Sequence, residues 1–303
     1  MGMRVATFAN SQQMIAAALK TQSIMSDQQV QEASGVVSSD FGGLGSNSQQ
    51  VLNLQVSVTR AQSYIDAATQ TDSKVEVMYS AVNSIADLTT SFRSLLTAAT
   101  NSASTDSASV TQSAQEMLST MASLLNTQYS GSYLFSGSTT DVAPVDVSST
   151  TYAAATSPST ADTSYYQGDS ELASVRVSSS QTVSYGVTAD NTAFEQVLRA
   201  MNLVANTSPL TTDTLNEALD LSASAIDAIG VVQTKISNAS SSIEKASASQ
   251  TDYQSYAKTL GSSLTSVDVA AVTASLSTYQ AQLTASYGAI SKVQSLNLAS
   301  YLS

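Results

Sequence analysis

VAAVTASLSTYQAQLTASYGAISKVQ, residues 269–294, is the stretch that decides the fold. Val269, Val272, Leu276, Tyr279, Leu283, Ser286, Ile290 and Val293 recur at alternating steps of three and four. That spacing draws one line of side chains along an α-helix and suits a coiled coil. Between residue 269 and Ser303 the only charged side chain is Lys292. A helix with Ala and Ser on its other sides and almost no charge is poorly suited to water, so its faces are expected to bury against copies of the chain.

The same rhythm extends outward from this stretch. Upstream, Val232, Ile236, Ala239, Ile243, Ala246, Gln250, Tyr253, Ala257, Leu260 and Leu264 hold a heptad. At the other end of the chain, Val5, Phe8, Gln12, Ile15, Leu19 and Gln22 keep the same step. From Ser46 to Asn101 a further stripe runs through Val51, Leu54, Val58, Ala61, Ile65, Val75, Met78, Val82, Ile85, Leu88, Phe92 and Leu95. A helix of that length would extend roughly 80 Å at 1.5 Å per residue. The three prolines, Pro144, Pro158 and Pro209, all fall in the middle, leaving both flanks free of helix breakers. A helix over residues 106–128, capped by Thr105 or Asp106, and another over 191–206 complete the helical set.

The middle reads differently. Residues 131–188 gather Gly, Pro, Tyr and β-branched residues, and 171–177 and 182–187 alternate as strands do. The expected class is mainly α: long coiled-coil-like helices with the N- and C-terminal segments paired, plus a small β-rich insertion. Deleting residues 140–180 is expected to be tolerated for assembly better than any break in the heptads. Tyr152, Tyr165, Tyr166 and Tyr185 are expected to form the insertion's core.

Composition narrows the chemistry. The 303 residues carry 23 acids against 11 bases, a net charge of −12, with the bases scattered singly. That balance argues against nucleic acid or an anionic membrane as partner, and no stretch has the apolar length of a membrane span. Cys, His and Trp are absent. Disulfides, zinc sites, thiol nucleophiles and His-based triads are therefore removed, so neither an enzyme nor a cofactor or metal is expected. Gly42, Gly43 and Gly45 lack the Lys of a phosphate loop and read as a hinge. Asp213, Glu217 and Asp220 read as an acidic face favoured at a helix N-terminus. Asp162, Asp169 and Glu171 lack the spacing of a calcium loop. The segments Asn206-Thr207-Ser208 and Asn238-Ala239-Ser240 match a glycosylation acceptor pattern without further support. The first 20 residues, interrupted by Asn10, Ser11, Gln12 and Gln13, do not read as a cleavable secretory signal.

These pieces resemble the bacterial flagellin and hook-associated protein 3 family. Tyr129-Ser130-Gly131-Ser132-Tyr133-Leu134-Phe135-Ser136-Gly137 is similar to the family's signature where helices give way to the β region. Tyr166-Gln167-Gly168-Asp169, with Arg176-Val177 and residues 183–190, resembles the insertion of hook-associated protein 3. The ending from Tyr279 to Leu302 resembles the shared C-terminal signature. Two positions depart. The stretch Ser38-Ser39-Asp40-Phe41 lacks the proline of the ordinary flagellin connector, and Arg93-Ser94-Leu95, followed by Asn101, lacks the glutamate that innate receptors read.

The resemblance implies a chain organised as 1–45 and 266–303, a terminal helical inner-tube domain; 46–131 and 190–265, a helical bundle domain; and 132–189, a β-rich outer domain. It implies a filament flagellin that polymerises for motility, with hook-associated protein 3 at the hook–filament junction as the alternative. The insertion and the missing proline lean toward that alternative. A secreted coiled-coil effector and a surface binding protein are the competing classes. The implied partners are copies of the chain in a helical polymer, hook-junction and cap proteins, and a flagellar export chaperone. The implied location is the extracellular flagellum, reached by the flagellar type III route. The residues expected to carry self-assembly are Val5, Phe8, Ile15, Leu19, Val272, Leu276, Leu283, Ile290, Val293, Leu296 and Leu298.

Overall fold

The computed structural model describes residues 2–101 and 107–295; for residues 2–8, 294 and 295 it gives the backbone path alone. Six helices and four short strands follow in the order α1 (Gly2–Ser34), α2 (Ser48–Asn101), α3 (Ser107–Leu125), β1 (Gln128–Tyr129), β2 (Ser132–Tyr133), β3 (Ser174–Arg176), β4 (Thr182–Ser184), α4 (Thr192–Ala205), α5 (Thr212–Thr265) and α6 (Val269–Ser295). The mainly helical class, the long helices and the small β content are as the periodicity indicates. Thr105 and Asp106, the expected caps of α3, lie outside the described residues.

The chain divides into two compact units: one of residues 1–59 and 254–303, the other of residues 60–253. In the first, α1 ends where Gly35 turns left-handed (φ 70°) and its N–H closes on the Gln31 carbonyl at 2.8 Å. Glycine adopts that conformation without a Cβ clash. At the other connector, the Asp268 carboxylate accepts from the N–H groups of Ala270 and Ala271 at 3.0 and 3.2 Å, capping α6. The two connectors pair. Val37 N–H donates to Thr265 O at 2.8 Å and Val267 N–H to Gly35 O at 3.0 Å, around an antiparallel bridge between Val36 and Ser266. The Gly42–Gly45 hinge is a 3-10 turn over Phe41–Asn47 with a break at Gly45.

The second unit holds the main hydrophobic core. Val75, Met78, Val82, Ile85, Phe92 and Leu96 of α2 face Ile229, Val232, Ile236 and Ile243 of α5, with Val110, Met121 and Leu125 of α3 in the same cluster. Two hydrogen bonds fix the antiparallel register of α2 and α5: Gln233 Nε2 to Asn83 Oδ1 at 2.6 Å and Ser240 Oγ to Asp72 Oδ1 at 2.8 Å. The short helix α4 is buried on nearly every side, and its polar residues Glu195 and Asn202 are buried with it because each finds a partner, Glu195 on Arg199 and Asn202 on the Ala153 carbonyl. Asn191 caps it by accepting from Ala193 N–H at 3.0 Å.

The signature around residues 129–137 is a corner. Ser130 and Gly131 both take positive φ (50° and 80°), the requirement of a two-residue turn between strands, and β1 pairs with β2 on either side. Phe135 then drops into the core edge-on to Phe194, centroids 6.0 Å apart at 84°.

The insertion departs from expectation in two ways. Its regular strands are only three residues long, β3 and β4, and loops make up the rest. Those loops are pinned by side chains. Asn126 exchanges two hydrogen bonds with the backbone of Val145, at 2.8 and 2.9 Å. Asn202 donates to Ala153 O at 3.0 Å, and Glu195 accepts from Asp162 N–H at 3.1 Å. Glu217, read from sequence as a helix-end charge, instead accepts the Ser159 N–H at 2.7 Å. The insertion also shares the core: Val145, Tyr152, Tyr165 and Val177 are buried in the same cluster as α4. Removing residues 140–180 would therefore open the core around α4. The tyrosine reading holds for Tyr152 and Tyr165, which stack edge-on at 5.3 Å, while Tyr166 and Tyr185 are only partly buried.

Candidate self-assembly surface

The heptad in residues 269–293 becomes the inner line of α6. Val272 and Leu276 are buried, and Ser275, Tyr279, Leu283, Ser286, Ile290 and Val293 are half-buried behind them. Its partner is α1, which runs antiparallel. Thr273 Oγ1 donates to Glu32 Oε1 at 2.8 Å and Ser275 Oγ to Gln28 Oε1 at 3.0 Å, continuing the register of the paired connectors.

On α1 the covered line is Ser11, Met14, Ile15, Ala18, Thr21, Ile24, Met25 and Gln28. This corrects the stripe expected from sequence, which passed through Gln12, Leu19 and Gln22. Ala18 is only 4% exposed, whereas Leu19 is 60% exposed and faces away. A small residue at the seam lets the helix axes approach closely, so the seam follows Ala18 rather than the larger neighbour. On α5 the expected Tyr253 is likewise exposed and Gln254 takes its place at the seam. The Gln254 amide donates to Val58 O at 3.4 Å.

Two helices cannot enclose their own apolar residues. Of the expected assembly residues, Val272 and Leu276 are buried, while Ile15, Leu283, Ile290 and Val293 are half-covered. Leu19 points outward, in line with Val30 (63% exposed) three turns later. Val269 and Tyr287 are exposed on α6. Val5 and Phe8 lie on the backbone path of α1, and Leu296 and Leu298 lie outside the described residues.

The polar part of this surface has a property that composition does not announce. Ser277, Thr278 and Thr284 of α6 each donate to the carbonyl four residues back, as do Thr21 and Ser34 of α1, at 2.7–3.1 Å. Hydroxyls so occupied can leave water without stranding a donor, a loss that otherwise costs about 1–3 kcal/mol each. Charge is sparse as well. The first unit carries four acids and four bases, so the net charge of −12 resides in the second unit, with 19 acids against seven bases.

The second unit offers little chemistry. Among the described residues no group of three or more metal-binding side chains gathers, and no described helix is long and apolar enough to cross a membrane. Asp169 lies below the usual carboxylate range because Ser138, through its hydroxyl and its N–H, donates to it; it braces a turn. Burial pushes Glu195 up, and Arg199 pairs with it at 3.2 Å. Burial also works on Glu217, but the hydrogen bonds from Ser157 and Ser159 outweigh it and hold its carboxyl down. Each of these groups secures a loop. The Asn206 side chain is likewise committed, to Asn202 O at 3.0 Å.

Residues 5–140 match the family model of the bacterial flagellin N-terminal helical region. No curated protein matches the sequence. A flagellar hook-associated protein of Vibrio parahaemolyticus has a similar fold at 17% identity, with a TM-score of 0.62 over 75% of this chain and 99% of that one. FlgL of Bacillus cereus (12% identity, TM-score 0.40, 72% of this chain and 98% of that one) is also similar. So is the flagellar hook-associated protein-3 of Legionella pneumophila (14%, 0.46, 71% and 97%).

Proposed function

We propose, since this chain belongs to the family of bacterial flagellins and flagellar hook-associated proteins, that it is a structural subunit which polymerises at the junction between flagellar hook and filament. The family is structural rather than enzymatic. The observation that carries the polymer reading is the α1–α6 pair: a long, charge-poor surface with outward apolar side chains and hydroxyls already bonded to their own helix. Such a surface is completed by neighbouring copies.

The junction is favoured over the filament, which reverses the order expected from sequence. Support comes from the fold shared with the Vibrio hook-associated protein over 99% of that chain. In this reading residues 1–45 and 266–303 line the inside of the assembly, 46–131 and 190–265 surround them, and 132–189 face outward. Val5, Phe8, Ile15, Leu19, Val272, Leu276, Leu283, Ile290, Val293, Leu296 and Leu298 carry the assembly, Val272 and Leu276 by holding the α1–α6 pair together and the others by meeting neighbouring copies. Export by the flagellar type III route with a dedicated chaperone, and contact with junction and cap proteins, belong to the same reading.

The test is addition of purified subunit to hook bodies stripped of filament, followed by electron microscopy. A junction subunit adds a collar of limited length. Filaments that elongate without limit would return the reading to flagellin, and no addition would remove the polymer role.

A further inference from the structure

The net charge is confined more narrowly than to one unit. Residues 106–220, which span α3, the insertion, α4 and the start of α5, hold 12 acids and two bases, a net charge of −10. The remainder of the second unit, residues 60–105 and 221–253, is nearly balanced, and the first unit is neutral. Glu116, Asp141, Glu171 and Asp220 are all exposed, and none is in a salt bridge among the described residues.

We infer that residues 106–220 act as an electrostatic guard, which holds copies of the chain apart along this region and confines self-association to the neutral α1–α6 surface. The inference rests on the polymer reading above and adds what regulates it. Every copy carries the same excess of ten negative charges in residues 106–220, so copies repel one another as they approach. A field of this kind reaches about 30 Å at 0.01 M salt and about 10 Å at 0.1 M. Subunits in wrong registers, with one acidic region against another, are rejected most strongly. Subunit addition is therefore weak in dilute salt and strengthens as the acids are screened, although the unit that holds the contact surface has no net charge.

The experiment measures the apparent affinity of the full chain for stripped hook bodies by sedimentation between 20 and 300 mM NaCl. It is repeated with the variant Glu116→Gln, Asp141→Asn, Glu171→Gln, Asp220→Asn, whose circular dichroism is checked first. The wild type is expected to gain on the order of tenfold in affinity across the range, and the neutralised variant less than about threefold. Addition that occurs but ignores salt, or a variant with the wild-type salt slope, overturns the guard and leaves the polymer reading intact. No addition by either chain at any salt removes the polymer reading, and the guard with it.

Discussion

Leu19→Gln separates a residue that holds the subunit together from one that holds subunits to each other. Leu19 is 60% exposed beside the seam residue Ala18 at 4%. Full burial of a leucine contributes about 1.5–3 kcal/mol, so the part still open to water is worth about 1–2 kcal/mol when a neighbour covers it. At 1.4 kcal/mol per factor of ten, the variant should lose about 5- to 30-fold in affinity for stripped hook bodies. Glutamine keeps nearly the helix propensity of leucine, and an exposed substitution changes the isolated chain by less than about 0.5 kcal/mol. Sedimentation measures the first quantity, and thermal unfolding followed by circular dichroism the second. Leu276→Gln, at a buried seam position, should instead destabilise the α1–α6 pair itself. If Leu19→Gln leaves addition at the wild-type level, or unfolds the isolated chain as Leu276→Gln does, the outward face of α1 is not the contact.

Three further outcomes follow from the second unit. Phe135→Ala, which removes a fully buried ring and its edge contact with Phe194, should cost about 3–5 kcal/mol in urea unfolding followed by tyrosine fluorescence; a loss under 1 kcal/mol would mean the corner is loose. Burial pushes the Tyr152 hydroxyl from 10.0 up to about 12 and raises Tyr165 further still. Their protons are held more tightly in the folded chain, so their contribution is fully present below pH 10 and is lost as pH rises from there through about 12. The melting temperature should fall across that window, and less so in Tyr152→Phe; equal falls in both chains would contradict the assignment. Deletion of residues 140–180 should abolish cooperative unfolding of the second unit by uncovering Phe135 and α4, and a sharp wild-type transition in the deletion would show the insertion to be peripheral after all.

The long helices were readable because heptad spacing survives any choice of partner. Val272, Leu276, Tyr279, Leu283, Ile290 and Val293 all lie on the covered side of α6. The α1 seam was less readable because Leu19 and Ala18 are neighbours 100° apart, and hydropathy favours the residue that the two-helix pair leaves outside. The insertion's tie to the core was unreadable for another reason. Its hold on α4 runs through Asn126, Glu195, Asn202 and Glu217, single polar residues far in sequence from the loops they grip. Periodicity carries no trace of such pairings, whereas the buried aromatics were suggested by residue type alone.

The sparse charge of the first unit and the abundance of Ser and Thr have one physical cause. A surface destined to leave water should carry few ions, since desolvating an unpaired charge costs several kcal/mol, and few free donors. It must also not be wholly apolar, or separate subunits would aggregate before they reach the growing structure. Hydroxyls bonded to their own helix satisfy all three demands: Thr278 on Ala274 O and Ser277 on Thr273 O keep acceptor lone pairs for water while the donor is already spent. Because such a surface has little charge with which to choose a register, selectivity must come from elsewhere on the chain, and the acidity of residues 106–220 supplies it.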